Sequence, residues 1–295
     1  RRRSGNAQPK LNVSDIYDIL MPEPSDLVVQ EIADIVECAE QSANKANLYY
    51  SQARDIIELE LGLDNKNYDK SRGYTAHLSE SLVEDRFDAD YFQPHYRNVE
   101  ALIKNYYQGY EPLIACCDSM KPNIDPSSIP SGHFDYIELS NINSSLGIVN
   151  GSTQGMGFDL PSRAKRKVSK GDIVASSVVG SIDKAALISE EQDGFIASTG
   201  FFHLRPKSVT SEFLLMTVRS QCVRTQLQQQ ATGGILSAVP DNRLRHVIIP
   251  KVPEKLQRRI SDLVKNAHSE KLASLQLLDE AKSRVAQLIE EAVQT

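Results

Sequence analysis

The fold is decided by LRHVIIPKV at residues 244–252 and by IYDILMPEP at residues 16–24, which align without a gap at an offset of 228 residues. Each stretch ends an apolar run at a proline and continues into a long helical pattern, within Ile16–Gly62 and Leu244–Glu290. The same offset superposes further identical residues: Ile32/Ile260, Asp34/Asp262, Val36/Val264, Ala39/Ala267 and Ala53/Ala281. Because apolar residues meet apolar residues along this register, we predict two copies of a strand–proline–helix unit that bracket one domain.

Length and composition bound the class of protein. The 295 residues are 40% apolar and 24% charged, which is typical of a globular protein of one or two domains. No apolar run is long enough for a membrane span. The four cysteines form neither a disulfide framework nor a zinc motif, which predicts reduced thiols and a cytoplasmic location. Because the chain lacks an initiator methionine, we expect a fragment of a longer subunit.

The charge distribution leaves nucleic-acid binding open. The net charge of −6 argues against a polyanionic partner when it is averaged over the chain. However, the segment Ser162–Lys170 carries five cations and no acid. A local basic face is therefore compatible with an acidic total.

The pattern along the chain divides it into segments. Helices are predicted from Asp26 to Leu61 and from Glu254 to about Ala292, and alanines within their apolar stripes favour close approach of one helix to the other. The stretch at 63–84 is polar and has no hydrophobic periodicity, which is typical of a linker. The predicted segments are the tail of a preceding domain or a disordered end at 1–15, the first repeated unit at 16–62, a linker at 63–84, a β-rich domain at 85–243 and the second repeated unit at 244–295.

The central domain shows short strand patterns with Gly and Asp turns between them. This spacing predicts a curved antiparallel or mixed sheet. The predicted strands are Tyr136–Leu139, Gly147–Val149, Ile173–Ser177, Lys184–Ile188, Phe195–Ala197 and Phe201–Leu204. Helices are expected at His95–Tyr106 and Ser211–Gln230, the second capped by Ser211 and ended by Gly233-Gly234.

In their order and spacing, these features resemble the specificity subunit of type I restriction–modification systems. The resemblance runs from about Ile16 to Ala292 and rests on Arg86–Pro94, Tyr136–Val149, Lys170–Ile173, Ala197–Phe201, Thr232–Gly234 and Leu244–Pro250 with its helix. It implies an α+β fold in which a β-rich target-recognition domain is flanked by two long helices that pair as an antiparallel coiled coil. The family alternates two recognition domains with two helices, whereas this sequence holds one recognition domain. It is therefore expected to be the C-terminal half of a subunit or a natural half-subunit that dimerises.

The resemblance also implies a function. The chain would bind double-stranded DNA, read one half of a bipartite site and dock DNA-methyltransferase (modification) subunits through its helices, and a restriction or motor subunit would join for cleavage. Self-association through the helices is a further expectation. The sequence carries no GxxxxGK[ST] phosphate loop, no Asn-Pro-Pro-Tyr-like base pocket and no metal spacing among its histidines. We therefore predict a non-catalytic subunit without a cofactor of its own.

The candidate DNA-binding residues fall into two sets. The cations Arg163, Lys165, Arg166, Lys167 and Lys170 could neutralise phosphates, although they could also form an ordinary solvated loop. Polar side chains near strand ends could read base edges, although the same residue types populate turns. This second set is Asn141, Asn143, Gln154, Ser176, Ser177, Ser181, Lys184, Ser198 and Thr199.

Two other functions stay open at this stage. The chain could be a coiled-coil adaptor that does not bind DNA, in which case charge reversal at Lys165–Lys167 would change nothing. It could instead be the recognition part of a fused methyltransferase polypeptide, with the catalytic motifs upstream of Arg1. That alternative makes the same DNA-binding prediction.

Overall fold

The computed structural model describes Tyr17 and residues 23–62, 70–233 and 237–294, and the chain divides into two compact units. Of the described residues, those up to Lys45 and from Glu270 onward form the first unit, and those from Ala46 to Ser269 form the second. The predicted tail at 1–15, the apolar run at 19–22, the start of the predicted linker at 63–69 and Gly234 lie outside the described residues.

The elements follow the predicted order of a long helix, a β-rich part and a second long helix. The helices are α1 (Asp26–Glu60), α2 (Leu78–Glu84), α3 (Pro94–Lys104), α4 (Leu113–Cys116), α5 (Ser211–Arg219), α6 (Gln221–Gln229) and α7 (Glu254–Gln294). The strands are β1 (Tyr110–Pro112), β2 (Cys117–Ser119), β3 (His133–Ile137), β4 (Ile142–Asn143), β5 (Ile148–Val149), β6 (Thr153–Met156), β7 (Ala164–Lys167), β8 (Ile173–Ser176), β9 (Ala185–Leu187), β10 (Ile196–Ser198), β11 (Phe201–Pro206) and β12 (Ile248–Pro250). The α+β class predicted from the sequence is confirmed.

The two long helices pair in antiparallel directions. In the first unit Arg284 Nε lies 3.7 Å from Glu31 Oε1, and in the second unit the rings of Tyr50 and His268 stack with centroids 6.4 Å apart. The contacts therefore move forward along α1 while they move backward along α7. Both members of each repeated alanine pair are buried: Ala39 and Ala281 in the first unit, and Ala53 and Ala267 in the second.

Replacing Ala267 with leucine tests the close approach of the helices. Ala267 is fully buried, so the added methyl groups must push neighbouring side chains out of their packed positions. We expect the free energy of unfolding to fall by about 1–3 kcal/mol, measured by urea unfolding. Ala286→Leu is the matched control, because Ala286 is exposed on the same helix. An equal change in both variants would contradict the close packing.

The strands of the second unit pack as layers. Among the described residues, a six-stranded sheet is ordered β2-β11-β8-β9-β5-β4, a four-stranded sheet is ordered β6-β3-β10-β7, and β1 pairs with β12. The pairings are antiparallel except β10 with β3 and β5 with β9. The sheets are mixed, which is one of the two alternatives predicted from the sequence. Each contains one parallel pair whose strands are joined through a long crossover and not through a hairpin.

Strand alternation divides the core into two layers. On β8, Ile173 and Ala175 join a large cluster formed with the long helices and with α3, α5 and α6. Val174, which points to the opposite face, packs in a second cluster with Phe201 and with residues of the four-stranded sheet such as Ile137. Because both faces of the six-stranded sheet are covered, its central strands read as continuous apolar runs.

The helix predicted for Ser211–Gln230 is two helices in the structure. Ser220 has an extended backbone (φ −62°, ψ 151°), so α5 ends before it and α6 begins after it. The Ser220 hydroxyl donates to Thr217 O at 2.6 Å, which satisfies a carbonyl at the end of α5. The predicted cap is also displaced by one residue, because Thr210 Oγ1 accepts the Phe213 N–H. In the predicted linker, residues 78–84 form α2.

A buried ionic network joins β8 to β11. Asp172, which directly precedes β8, is almost completely buried. Its carboxylate accepts from Arg205 Nε and Nη2, both at 2.8 Å, and from the Ser169 N–H at 2.9 Å. Asp172 Oδ2 also lies 2.6 Å from Nε2 of the fully buried His203. The sequence motif Lys170-Gly171-Asp172 therefore anchors the sheet in addition to forming a turn, in which Gly171 has φ of 85°.

Candidate nucleic-acid interface

Strand alternation divides the basic cluster between the protein interior and its surface. Along β7, Ala164 and Arg166 are buried, Lys165 is half-buried and Lys167 is exposed. Successive side chains of a strand point to opposite faces, so a run of four residues cannot present all its cations to one partner. Arg163, which precedes the strand, is exposed.

The guanidinium of Arg166 is used inside the protein. Its Nη1 donates to Met120 O at 2.6 Å, and its Nη2 pairs with Asp241 Oδ2 at 2.8 Å. Only 4% of the side chain is exposed. Arg166 therefore attaches the 3₁₀ helix Asp241–His246 to β7 and is not part of the candidate interface.

Two other predicted cations have carboxylate partners on the surface. Lys165 Nζ lies 2.6 Å from Asp125 Oδ1, and Lys170 Nζ pairs with Glu190. Arg163 and Lys167 have no carboxylate within 4 Å among the described residues. Exposed ion pairs are weak, so Lys165 and Lys170 could exchange their carboxylate partners for phosphates. Arg163 and Lys167 would not have to break an ion pair to bind a phosphate.

The structure adds a cation that the sequence did not indicate. The Asn123 N–H donates to Lys165 O at 2.9 Å, and Asn123 Oδ1 accepts the Lys167 N–H at 2.8 Å. These bonds hold residues 120–123 along the outer edge of β7, with the exposed Lys121 beside the strand. We call Lys121, Arg163 and Lys167 the basic edge.

Several predicted base readers form one turn at the end of β10. Ser198 Oγ accepts the Gly200 N–H at 3.1 Å, and the Ser177 hydroxyl donates to Gly200 O at 2.9 Å. The Thr199 N–H donates to Arg163 O at 2.8 Å, which places Thr199 next to the basic edge. Ser177 and Ser198 are buried, whereas Thr199 is partly exposed. Of these residues, Thr199 is the one whose side chain is available to a partner.

Other predicted base readers are engaged in contacts within the protein. Asn141 Oδ1 accepts the Glu138 N–H at 2.9 Å, and Asn143 Oδ1 accepts from the backbone and hydroxyl of Ser145. Ser176 Oγ lies 3.0 Å from Ser181 Oγ. These local contacts are ordinary turn chemistry. Lys184 instead makes a long-range contact, because its Nζ donates to Leu139 O at 2.8 Å.

Gln154 has a different environment from these residues. It is exposed on β6, which forms one edge of the four-stranded sheet, while β7 forms the other edge. Three inter-strand steps of about 4.8 Å separate the two strands by roughly 14 Å. The structure therefore places Gln154 and the basic edge on the same sheet without bringing them into contact.

Other kinds of site find no support in the described residues. No helix among them is long and apolar enough to cross a membrane. No group of three or more His, Cys, Asp or Glu residues in the described part of the chain is arranged to hold a metal ion.

Solved structures with a similar fold come from type I restriction–modification systems. The S subunit of M. genitalium matches 97% of this chain and 67% of its own, with a TM-score of 0.51 and 13% identity. The HsdS subunit of Thermoanaerobacter tengcongensis matches 62% of this chain (TM-score 0.48, 30% identity). A type I R-M structure, described for complex assembly and conformational transition, matches 63% (TM-score 0.48, 26% identity). This chain covers 47% of the length of the Thermoanaerobacter tengcongensis subunit and 48% of the length of the type I R-M chain.

No family model and no curated protein matches the sequence. The similarity is therefore carried by the three-dimensional arrangement, in which the M. genitalium subunit matches nearly the whole chain. At the level of the fold, the resemblance to type I specificity subunits predicted from the sequence is confirmed.

Proposed function

We propose that this chain binds double-stranded DNA in a sequence-specific manner as the specificity subunit of a type I restriction–modification complex. Its β-rich domain reads one half of a bipartite site, and its helices dock methyltransferase subunits. The chain itself carries out no chemistry, and its unpaired cysteines are compatible with work in the cytoplasm. If the catalytic motifs are fused upstream, the binding role is unchanged.

The observation that carries this proposal is the basic edge on a fold shared with an S subunit. Lys121, Arg163 and Lys167 are exposed along one sheet edge and have no carboxylate partner among the described residues. Phosphate contacts position a protein on the duplex and supply much of its affinity. The net charge of the chain does not oppose this role, because phosphate contact depends on the local distribution of charge.

Base reading is assigned to the exposed polar side chains, with Gln154 first. A glutamine amide can bind adenine bidentately in the major groove, and such a pair discriminates by about 1–3 kcal/mol. We expect Gln154→Ala to relax the preference at one base position and to leave non-specific affinity unchanged. Binding to duplexes with single substitutions would measure this. Asn143→Ala, which removes an internal turn contact, is the control for indirect effects.

Docking is assigned to the long helices. In the first unit, large apolar side chains are exposed on both helices: Leu27, Val29, Val36, Leu272, Leu275, Val285 and Ile289. We assign these side chains to a protein–protein surface, which is the usual role of exposed apolar patches. By the resemblance, the partner is the modification subunit, which would cover them. The adaptor alternative shares this docking surface but makes no use of the basic edge.

Selection from a randomised duplex pool tests the proposed function. The chain is used alone and together with its modification subunit, because the family binds DNA as an assembly. Enrichment of a short fixed motif, bound less tightly at higher salt, is the expected result. If the assembly forms but enriches no motif, the proposal of sequence-specific DNA binding is wrong, and the adaptor function is favoured.

A further inference from the structure

A polar cavity unrelated to the basic edge opens beside α1 in the second unit. Its volume is about 390 Å³. Residues of α1, the turn at Ser144-Ser145, the loop at Asp183 and the facing ends of α5 and α6 line it. We call it the arginine pocket, after Arg54, Arg219 and Arg224 in its wall.

Arg219 is a largely buried cation without a carboxylate partner. Its Nη1 donates to Ala185 O at 3.3 Å, its Nη2 donates to Ser144 O, and its guanidinium lies 5.1 Å from the centre of the Tyr50 ring. No carboxylate lies within 4 Å of it among the described residues. Burial lowers the pKa of Arg219, which reflects the cost of keeping this charge away from water. Buried charges are normally paired, so this one lacks an anion.

Two further donors in the pocket have no partner. The Tyr50 hydroxyl and Arg224 Nε are buried without a hydrogen bond, and Tyr50 is only 5% exposed. Burial raises the pKa of Tyr50 to about 12, so the phenol keeps its proton at neutral pH and can donate. Buried donors in folded proteins are almost always satisfied. Both side chains belong to the lining of the pocket.

The chain makes room for these donors at Gly147. This residue has φ of 65°, and a Cβ there would lie 2.8 Å from Arg219 Nη1 and 2.9 Å from the Tyr50 hydroxyl. A side chain at position 147 would displace both groups. The Arg219 guanidinium and the Tyr50 phenol can approach each other because Gly147, in the turn between β4 and β5, has no side chain.

The charges of the lining favour an anion. Glu58 and Asp183 also line the pocket, against the three arginines. Glu58 Oε1 accepts the Gln221 N–H at 3.1 Å, and Asp183 is exposed. The carboxylates therefore leave the buried donors of Tyr50 and Arg224 unused.

We propose that the arginine pocket binds a phosphate group, either free or as the end of a small phosphomonoester. Tyr50, Arg219 and Arg224 come from separate elements and line one cavity, which suits a tetrahedral group with several acceptor oxygens better than a planar carboxylate. Guanidinium groups bind phosphate oxygens through paired N–H donors. The pocket is larger than one phosphate, so it can also hold part of the molecule that carries the group. This role is independent of DNA reading.

Calorimetric titration of the full chain with inorganic phosphate, at constant ionic strength maintained with chloride, tests the proposal. We expect saturable binding that is weakened about tenfold by Tyr50→Phe and by Arg224→Gln. Tyr50→Phe keeps the ring that contacts Arg219, so it is expected to fold. Arg258→Gln is the control, because Arg258 is 71% exposed and pairs with Glu254.

The comparison of ligands identifies the source of the phosphate. Tighter binding of a mononucleotide than of inorganic phosphate supports a phosphomonoester, and equal binding supports the free ion. Malonate binding as tightly as phosphate would overturn the assignment. Absence of saturable binding, or binding that both pocket variants leave unchanged, would overturn it as well. DNA affinity is expected to stay unchanged in Tyr50→Phe, which separates this site from the basic edge.

Discussion

Replacing Asp172 with alanine is expected to lower the free energy of unfolding by about 3–5 kcal/mol. The carboxylate accepts from Arg205 and from the Ser169 backbone, and it lies against His203. His203 Nδ1 already has no partner, so the substitution leaves both nitrogens of a fully buried ring unsatisfied. Urea unfolding, monitored by circular dichroism, measures this change in the free energy of unfolding.

A surface aspartate supplies the matched control for this variant. Asp118 is 57% exposed, and its Oδ1 lies 3.2 Å from Nζ of Lys207, which follows the neighbouring strand β11. Asp118→Ala removes the same side chain from a solvated ion pair, and we expect a change below about 1 kcal/mol. Similar effects of the two substitutions would show that the buried network does not hold β8 to β11.

The same network predicts a dependence of stability on pH. Burial raises the pKa of Asp172, but the hydrogen bonds from Arg205 and His203 outweigh burial and lower it to about 2, below the ordinary value of 3.8. The unfolded chain therefore binds the proton first as pH falls. The contribution of Asp172 is fully present above about pH 4 and is lost as the pH approaches 2. Asp172→Ala should lose less stability than the wild type across this range.

The double substitution Arg163→Glu/Lys167→Glu is expected to weaken duplex binding by about 100-fold at moderate salt. Each change removes a cation without a carboxylate partner and adds a charge that repels the phosphates. The slope of log affinity against log salt should become shallower by about 0.9 for each phosphate that the variant no longer neutralises. Fluorescence anisotropy over a salt series, with the chain assembled on its modification subunit, gives both quantities.

The control for this variant carries the same change in net charge at other positions. Arg97 and Lys104 are exposed on α3, and each pairs with a carboxylate. Arg97→Glu/Lys104→Glu should leave the salt slope unchanged if the basic edge is the contact. Equal affinity losses in the two double variants would show a general effect of charge and would remove the basic edge from the interface.

The parts of the fold that depend on local periodicity could be predicted from the sequence. The helical stripes and repeated alanines indicated the close approach of the two long helices, and the turn at Gly171 located β8. The antiparallel direction was implied by the family resemblance. The break at Ser220 was missed because the apolar period continues through it. Serine often caps a helix, so this residue carried a weak signal for a new start.

The candidate site could be predicted only in part. The alternation of β7 would have separated Arg166 from Lys167, had the strand been recognised within the basic run. Lys121 could not have been found, because its place beside β7 depends on bonds from Asn123 to residues 42 and 44 positions away. The orphan donors of Tyr50 and Arg224 likewise arise from elements that are distant in sequence.

The most direct measurement compares two duplexes bound by the chain in complex with its modification subunit. One duplex carries the motif recovered by selection, and the other carries the same bases in scrambled order. Sequence reading by the β-rich domain predicts a preference of at least about 1,000-fold for the motif, with affinity for both falling between about 50 and 200 mM salt. Equal affinity for the two duplexes would contradict the assignment of this chain as a specificity subunit.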